Sequence, residues 1–312
     1  MSGLQAQYAP AMYIGLWSRL EGFGRGDLTS ALERRAVVQG TLLRVTIHLV
    51  SAEDYWPFAL AVRDERRRWW LGATRRRHDA EDLAAAAERV RAHLRDRGPV
   101  RRKELDALVG KELANGVGLW VDLVRIPPSG TWERRRADLY GLAEDWLGPP
   151  PPELAGAVGV AHLVRRYLGG FGPATVAEIA NWAGLRTPTV AAAVAGLDLR
   201  RFRAEDGNEL VDLARAPLPD PATPAPVRLL PTWDATLLAH VRRAAILPEE
   251  YRPRIFNTKM PQSVNTFLVD GQVAGTWRFD GERVVVEPFR PLAAAVHEEL
   301  EAEADGMAAF HA

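Results

Sequence analysis

The chain has 312 residues and no cysteine, and its 40 basic and 40 acidic residues give a net charge of zero. This length exceeds the size at which one hydrophobic core usually keeps growing, so roughly two to four domains are expected. The missing cysteines exclude a disulfide framework, a thiol nucleophile and a cysteine-containing zinc site. No apolar run approaches the ~20 residues of a membrane span and no signal peptide is visible, so we expect a cytoplasmic protein.

The chain begins with a short motif in which two glutamines, Gln5 and Gln7, flank Ala6. Side chains of an extended segment alternate, so both amides would point to the same side. Neutral amides placed side by side can hold a water molecule or a sugar oxygen by hydrogen bonds. A motif this short is also typical of a solvated stretch, so its meaning depends on the rest of the chain.

The segment 1–80 is predicted to form two helices followed by a hairpin. A helical stripe runs from Pro10 to Leu20, a second helix begins at Asp27, and residues 37–50 have the composition of a hairpin. We interpret this segment as a divergent copy of a repeat that follows it, with the leading helix of the repeat missing.

Arg44, Thr46 and His48 alternate along the second strand of that hairpin, so they can share one face. We predict that they contact phosphate or sugar near the glutamines. A histidine packed against a neighbouring strand is an equally open interpretation of His48. The seven histidines show no metal-ligand spacing, so we predict no metal site and no cofactor.

An internal repeat occupies the middle of the chain. Seven positions recur at one constant offset: Val90, Leu94, Gly98, Pro99, Glu104, Leu105 and Gly110 return as Val164, Leu168, Gly172, Pro173, Glu178, Ile179 and Gly184. A constant offset without gaps marks a duplicated supersecondary unit. Each copy predicts a helix, a short extended segment, two further helices and a hairpin, which is the order of a winged helix.

Two proline-rich joints, at residues 149–152 and 217–226, divide the chain. After the second joint, residues 262–289 predict an antiparallel meander, and a helix begins at Leu292. The chain is therefore predicted to be α+β, with three tandem winged-helix units followed by a small C-terminal β-barrel-like domain. The predicted boundaries are 1–80, 81–150, 151–216 and 225–312.

Basic residues are concentrated between residues 61 and 140, where 19 lysines and arginines face 13 acids. Each basic cluster alone is typical of a solvated helix face, but four in one region favour a polyanionic partner. Zero net charge argues against a coat protein that binds nucleic acid without regard to sequence. The clusters are Arg66–Arg68, Arg75–Arg77, Arg101–Lys103 and Arg134–Arg136.

Three tryptophans and one aspartate are candidates for structural roles, and one of the tryptophans is also a candidate for DNA binding. Trp132 follows a turn and could contact DNA from the tip of a wing, with Arg134 and Arg135 on phosphates. A lone tryptophan beside a turn is more often a core anchor. We predict that the Trp69–Trp70 pair lies in a core and that Asp234 is a helix cap or ion-pair member.

Five segments together resemble a known family, although none is specific alone. They are GLQAQ at 3–7, TIHLV at 46–50, PSGTW at 128–132, LLPTWDATLLAH at 229–240 and LVDGQVAGTWR at 268–278. As a set they resemble the bacterial winged-helix DNA glycosylases of the AlkZ and YcaQ type over essentially the whole chain. The resemblance implies three winged helices and a β-barrel domain around a DNA channel. It also implies a monomer, associated with the nucleoid, that excises bulky or crosslinked N7-alkylguanine in base excision repair and self-resistance to alkylating antibiotics.

The resemblance assigns the catalytic pair to Gln5 and Gln7, which match the family motif of glutamine, apolar residue, then Gln or Asp. Relatives carry a few dozen residues before this motif, so we expect either a misassigned start or a shortened paralogue. N7-alkylation makes guanine a cationic leaving group, so neutral amides need only position water and contact the sugar. The alternatives are a non-catalytic winged-helix regulator and an inactive paralogue that binds adducts.

Overall fold

The computed structural model describes residues 3–74, 77–220, 222–239, 244–256 and 264–312. Several predicted features fall partly outside these ranges: Arg75 and Arg76, Pro221, His240, and the first two residues of the meander at 262–263. The chain divides into two compact units. The first comprises Met1–Pro10 with Leu28–Ala216, and the second comprises Ala11–Asp27 with Pro217–Ala312. No helix of the described ranges is long and apolar enough to cross a membrane.

The first unit contains a six-stranded antiparallel sheet in the order β1-β3-β2-β5-β6-β4. The predicted hairpin is present as β2 and β3, joined by a turn at Leu43–Val45 in which Arg44 and Val45 have a left-handed backbone. Strand β2 also pairs with β5 through Gln39 opposite Arg125, so the strands before and after residue 80 share one sheet. The strands are β1 (Leu4–Gln5), β2 (Val37–Thr41), β3 (Ile47–Ser51), β4 (Val100–Arg101), β5 (Leu123–Arg125) and β6 (Leu139–Leu142).

Helices surround this sheet and continue beyond it. The first two, α1 (Ala9–Trp17) and α2 (Arg25–Glu33), each span a boundary between the units. The remaining helices of the first unit are α3 (Ala52–Ala73), α4 (Ala80–Arg97), α5 (Arg102–Val109), α6 (Lys111–Gly116), α7 (Ala143–Leu147), α8 (Gly156–Phe171), α9 (Val176–Ala183) and α10 (Thr187–Ala195).

Helix α4 shows how the sequence determines an element. The spacing of Leu83, Val90 and Leu94 predicts an apolar stripe, which is buried in the structure, and Asp82 is the cap that the sequence predicts. The helix begins earlier, because Asp79 is the N-cap. Asp82 instead completes a capping box by accepting a hydrogen bond from the Asp79 backbone N–H.

The repeat is visible as two sets of equivalent elements. Helices α5 and α9 begin and end at equivalent positions of the two copies. Val100 of β4 pairs with Tyr140, and its equivalent in the second copy, Ala174, forms a bridge with Val211. The second copy ends in a separate two-stranded sheet of β7 (Leu199–Arg203) and β8 (Glu209–Leu213), as the hairpin prediction requires.

The second unit contains a four-stranded sheet that is open, so the predicted barrel-like closure is wrong. Helix α13 provides the physical reason, because Glu299 and Glu303 on it accept hydrogen bonds from the backbone N–H groups of Val227, which precedes β9, and of Leu229 within β9. Side chains thus occupy an edge that a closing strand would need. In the order β12-β11-β10-β9, the elements are β9 (Arg228–Leu230), β10 (Thr266–Val269), β11 (Gln272–Phe279) and β12 (Val284–Pro288), with α11 (Ala235–Leu238), α12 (Arg252–Ile255) and α13 (Ala294–His311).

Two further predictions have different outcomes. Asp234 caps α11 by accepting from the Thr236 backbone N–H and pairs with Arg19 at 2.7 Å, so its structural role is confirmed. The predicted core position of Trp69 is wrong, since its side chain is 56% exposed. Adjacent residues on a helix point about 100° apart, and here it is Trp70 that packs against Gly116.

Candidate active site

The glutamine motif is held at the edge of the six-stranded sheet by its apolar neighbours. Leu4 and Ala6 are buried, while Gln5 is half-buried and Gln7 is exposed. This alternation follows from the extended backbone of β1, in which Gln5 lies opposite His48 on β3. The Ala6 backbone N–H donates to the Ile47 carbonyl at 2.8 Å and continues the pairing past the end of β1.

The two amides have different surroundings. Oε1 of Gln7 accepts a hydrogen bond from the Ile47 backbone N–H at 3.2 Å, which fixes the oxygen end of this amide toward the sheet. The Nε2 end of Gln7 and the whole Gln5 amide make no hydrogen bond to another described residue. The motif therefore presents polar groups that are available to a ligand.

Gln7 lines a cleft of about 390 Å³ within the first unit. Polar and aromatic side chains from α3, α5, α6, β5 and β6 also line it, and neither aspartate nor glutamate is among its described residues. The cleft size lies within the roughly 300–1,000 Å³ of small-molecule pockets. The polar and aromatic members, besides Gln7 and Thr41, are Trp69, Trp70, Arg102, Asn115, Arg125 and Tyr140.

Arg125 lies at the inner wall of this cleft and is only 7% exposed. Its Nη1 donates to Thr41 Oγ1 at 2.9 Å, and its guanidinium lies 4.9 Å from the centre of the Tyr140 ring. Burial lowers the pKa of Arg125. Because the ordinary arginine pKa is so high, the group stays charged.

The three predicted residues of the hairpin have mainly structural contacts. Arg44 adopts a left-handed backbone, with φ 50°, and its Nη1 donates to the Trp182 carbonyl, which joins the hairpin turn to α9. Thr46 Oγ1 donates to the Leu43 carbonyl at 3.1 Å. His48 is 2% exposed, and its Nδ1 lies 3.1 Å from the Thr46 carbonyl oxygen.

Burial and the nearby Arg44 charge lower the pKa of His48 from 6.5 to about 3, although the Thr46 carbonyl acts in the opposite direction. A neutral, buried imidazole is placed as a structural group. In this arrangement DNA cannot reach its ring, so contact between His48 and DNA stays a prediction without support from the geometry.

Arginines form a second cavity of about 350 Å³ next to the glutamine segment. Arg134 and Arg135 are exposed there, and their contact with phosphates stays a prediction. Nη1 of Arg135 lies 3.4 Å from the hydroxyl of Tyr8, the residue after Gln7, so the structure brings this cavity to the motif. Trp132 is 5% exposed, and Arg135 lies 5.6 Å from its ring, which matches the core interpretation.

Comparison with known proteins identifies the family. A model of the DNA glycosylase AlkZ-like family matches residues 1–310. The chain belongs to the AlkZ-like DNA glycosylase family. The solved structure of Streptomyces sahachiroi DNA glycosylase AlkZ is similar in fold, with a TM-score of 0.81 at 19% identity over 98% of this chain and 87% of that chain. No curated protein sequence matches this chain.

Sequence reasoning missed the polar lining of the cleft in this AlkZ-like protein. Arg102 belongs to a predicted basic cluster, but Asn115 and Arg125 were not considered as site residues. One signal was available for Arg125, which is the only charge in the apolar run Leu123–Ile126. A charged residue inside a buried strand is rare and marks either a partner or a ligand.

Proposed function

We propose that this AlkZ-like protein is a monofunctional DNA glycosylase that hydrolyses the N-glycosidic bond of N7-alkylguanine, including bulky and crosslinked adducts. The protein would bind double-stranded DNA carrying the lesion, and it would do so as a monomer. It would act in base excision repair and in self-resistance to alkylating antibiotics. One observation carries the proposal: the cleft beside the glutamine motif contains no carboxylate among its described lining residues.

The missing carboxylates limit the chemistry that the cleft can perform. Hydrolysis of an ordinary glycosidic bond uses an acid to protonate the leaving group and a second carboxylate as base or nucleophile. N7-alkylguanine carries a positive charge before reaction, so it leaves without protonation. A cleft whose described lining offers the neutral amides of Gln7 and Asn115 and no carboxylate suits this substrate and does not suit an unmodified base.

In the proposed reaction Gln5 and Gln7 are positioning residues. The C1′–N9 bond breaks, the base takes the bonding electron pair and becomes neutral, and C1′ gains oxocarbenium character. Water adds to C1′ and releases a proton. Since the oxygen of Gln7 is held by Ile47, its NH₂ group is the end that can donate to a sugar or water oxygen.

The positions of the described lysines support a glycosylase that does not cleave the DNA strand. A lyase step requires an amine that forms a Schiff base with the opened sugar. Lys103 and Lys111, which the structure describes, do not line the cleft. We therefore expect abasic sites as the final product, with Arg134 and Arg135 holding phosphates outside the cleft.

Replacing either glutamine by alanine tests the proposal. Gln5→Ala and Gln7→Ala change no charge, so duplex affinity should stay close to that of the parent. Single-turnover release of N7-methylguanine from alkylated duplex DNA should fall roughly 100-fold or more, because a positioning group is lost. Gln272→Ala, at an exposed glutamine of β11 in the second unit, is the matched control and should keep the parental rate.

Three outcomes would contradict the proposal. Parental rates in both variants would remove the glutamines from the mechanism. A parent protein that binds duplex DNA and releases no base would favour the regulator or the inactive adduct-binding protein. Strand scission without heat or base would exclude the monofunctional assignment.

A further inference from the structure

Arg125 is a buried cation for which the described part of the chain provides no carboxylate. Its Nη1 donates to the neutral Thr41 hydroxyl, and its Nε has no hydrogen-bond partner. Arg66, by contrast, is a buried arginine whose charge is compensated by a carboxylate. It is similarly buried at 4% exposure, but its Nη2 lies 2.8 Å from the carboxylate of Asp122.

An uncompensated buried charge destabilises a fold, because the lost hydration is not replaced by an ion pair. Arginine cannot escape this cost by losing its proton at neutral pH. Folding alone would be better served by an apolar residue in the run Leu123–Ile126. The charge of Arg125 therefore points to an anionic ligand.

The cleft offers such a ligand a single uncompensated charge. Its other cation, Arg102, is already engaged, with Nε 2.7 Å from Asp106 and Nη2 donating to Asn115. Gln7 lines the same cleft, so a ligand held by Arg125 lies beside the proposed positioning amide.

We propose that the Arg125 guanidinium binds a non-bridging phosphodiester oxygen of the lesion-bearing strand inside this cleft. The inference rests on the proposed function, which supplies DNA as the ligand. A cationic N7-alkylguanine cannot be the group it contacts, since like charges repel. The phosphate that flanks the damaged sugar is the anion within reach, and guanidinium–phosphate hydrogen bonds are among the strongest in proteins.

The test is a duplex containing a tetrahydrofuran abasic analogue, in which single phosphates around the lesion are replaced in turn by neutral methylphosphonates. The parent should lose roughly 10-fold or more in affinity at one linkage. Arg125→Met should bind the all-phosphate duplex as weakly as the parent binds the duplex with a methylphosphonate at that linkage. Replacing the phosphate at this linkage should not weaken Arg125→Met further. Arg125→Lys should keep a reduced sensitivity there, because it retains the charge but loses the planar fork.

Thermal unfolding separates this role from a structural one. Arg125→Met should be at least as stable as the parent, since it removes an uncompensated charge. Arg66→Met is the matched control: it should lower the unfolding temperature, because it leaves Asp122 short of a partner, and should keep the parental linkage profile. If Arg125→Met does not fold, the role of Arg125 in phosphate binding is tested by comparing Arg125→Lys with the parent in their affinity for each methylphosphonate duplex.

A parent without any sensitive linkage would overturn the inference. So would a variant at Arg125 that keeps the full parental sensitivity. Base release from N7-methylguanine duplex is measured separately, so a parent that binds but releases no base overturns the proposed function and leaves the linkage result interpretable.

Discussion

His48 illustrates how one buried residue couples the candidate site to pH. It lies opposite Gln5 on β3, is almost completely enclosed, and has a pKa lowered from 6.5 to about 3 by burial and by Arg44. The folded protein holds a neutral imidazole at pH values where the unfolded chain would bind a proton. Stability contributed by this residue is therefore present above pH 6.5 and is lost as the pH falls from 6.5 toward 3.

His48→Gln should flatten this dependence. The unfolded parent binds one more proton than the folded parent in that window, so its unfolding free energy should fall by about 1.4 kcal/mol per pH unit from this residue. Urea unfolding between pH 6.5 and 4 measures the slope, and the variant should lack that part of it. His297→Gln removes an exposed imidazole and is the control. Parallel slopes in the parent and His48→Gln would contradict the prediction.

At the scale of elements, strand β2 lets the sheet and helix α3 pack closely against each other. Gly40 lies between His48 of β3 and Val124 of β5. A Cβ atom there would lie 2.6 Å from Cε2 of Tyr55, whose side chain is fully buried. The backbone of an extended strand accepts any residue, so the requirement for glycine at this position is one of space.

Gly40→Ala should destabilise the protein by about 1–3 kcal/mol, because a buried ring cannot move away from the added methyl group. Denaturant unfolding measures the change. Gly72→Ala makes the same substitution in α3 where no atom lies within 4 Å of the new methyl group. This control should be neutral or up to about 1 kcal/mol more stable, since alanine favours a helix. Equal effects of the two changes would show that space at Gly40 is not limiting.

Local elements could be predicted from the sequence, and contacts between distant segments could not. The stripe of α4, the hairpin β7–β8 and the alternation around Gln5 follow from spacing and turn residues within a few positions. The pairing of Gln39 with Arg125 joins segments on either side of residue 80, and no local pattern specifies it. For this reason the motif predicts Gln7 as a candidate site residue, while Arg125 is recognised as a candidate only in the folded chain.

Across the first unit, Asp54 links helices that are far apart in sequence. It lies in the first turn of α3 and accepts hydrogen bonds from His162 at 2.6 Å and from Arg166, both on α8. Burial alone would raise the pKa of Asp54, but hydrogen bonds from His162, Arg166 and Ser51 outweigh it and lower the pKa from 3.8 to about 2. The stability it contributes is present above pH 3.8 and is lost as the pH falls toward 2.

Asp54→Asn should therefore destabilise the first unit by about 2 kcal/mol at pH 7. Hydrogen exchange should show reduced protection in both α3 and α8, because the residue connects them. The difference from the parent should shrink as the pH is lowered from 4 toward 2. Asp96→Asn, which alters an exposed pair with Arg97, should change stability by less than about 1 kcal/mol. Protection lost in α3 alone would contradict the link.

The β2–β5 pair has a consequence for fragments of this protein. Arg125 is held by Thr41, from the segment before residue 80, and by Tyr140, from the segment after it. Neither segment supplies both partners by itself. The phosphate site that we propose therefore forms only where β2 and β5 pair, so a fragment that lacks either segment would lack the site.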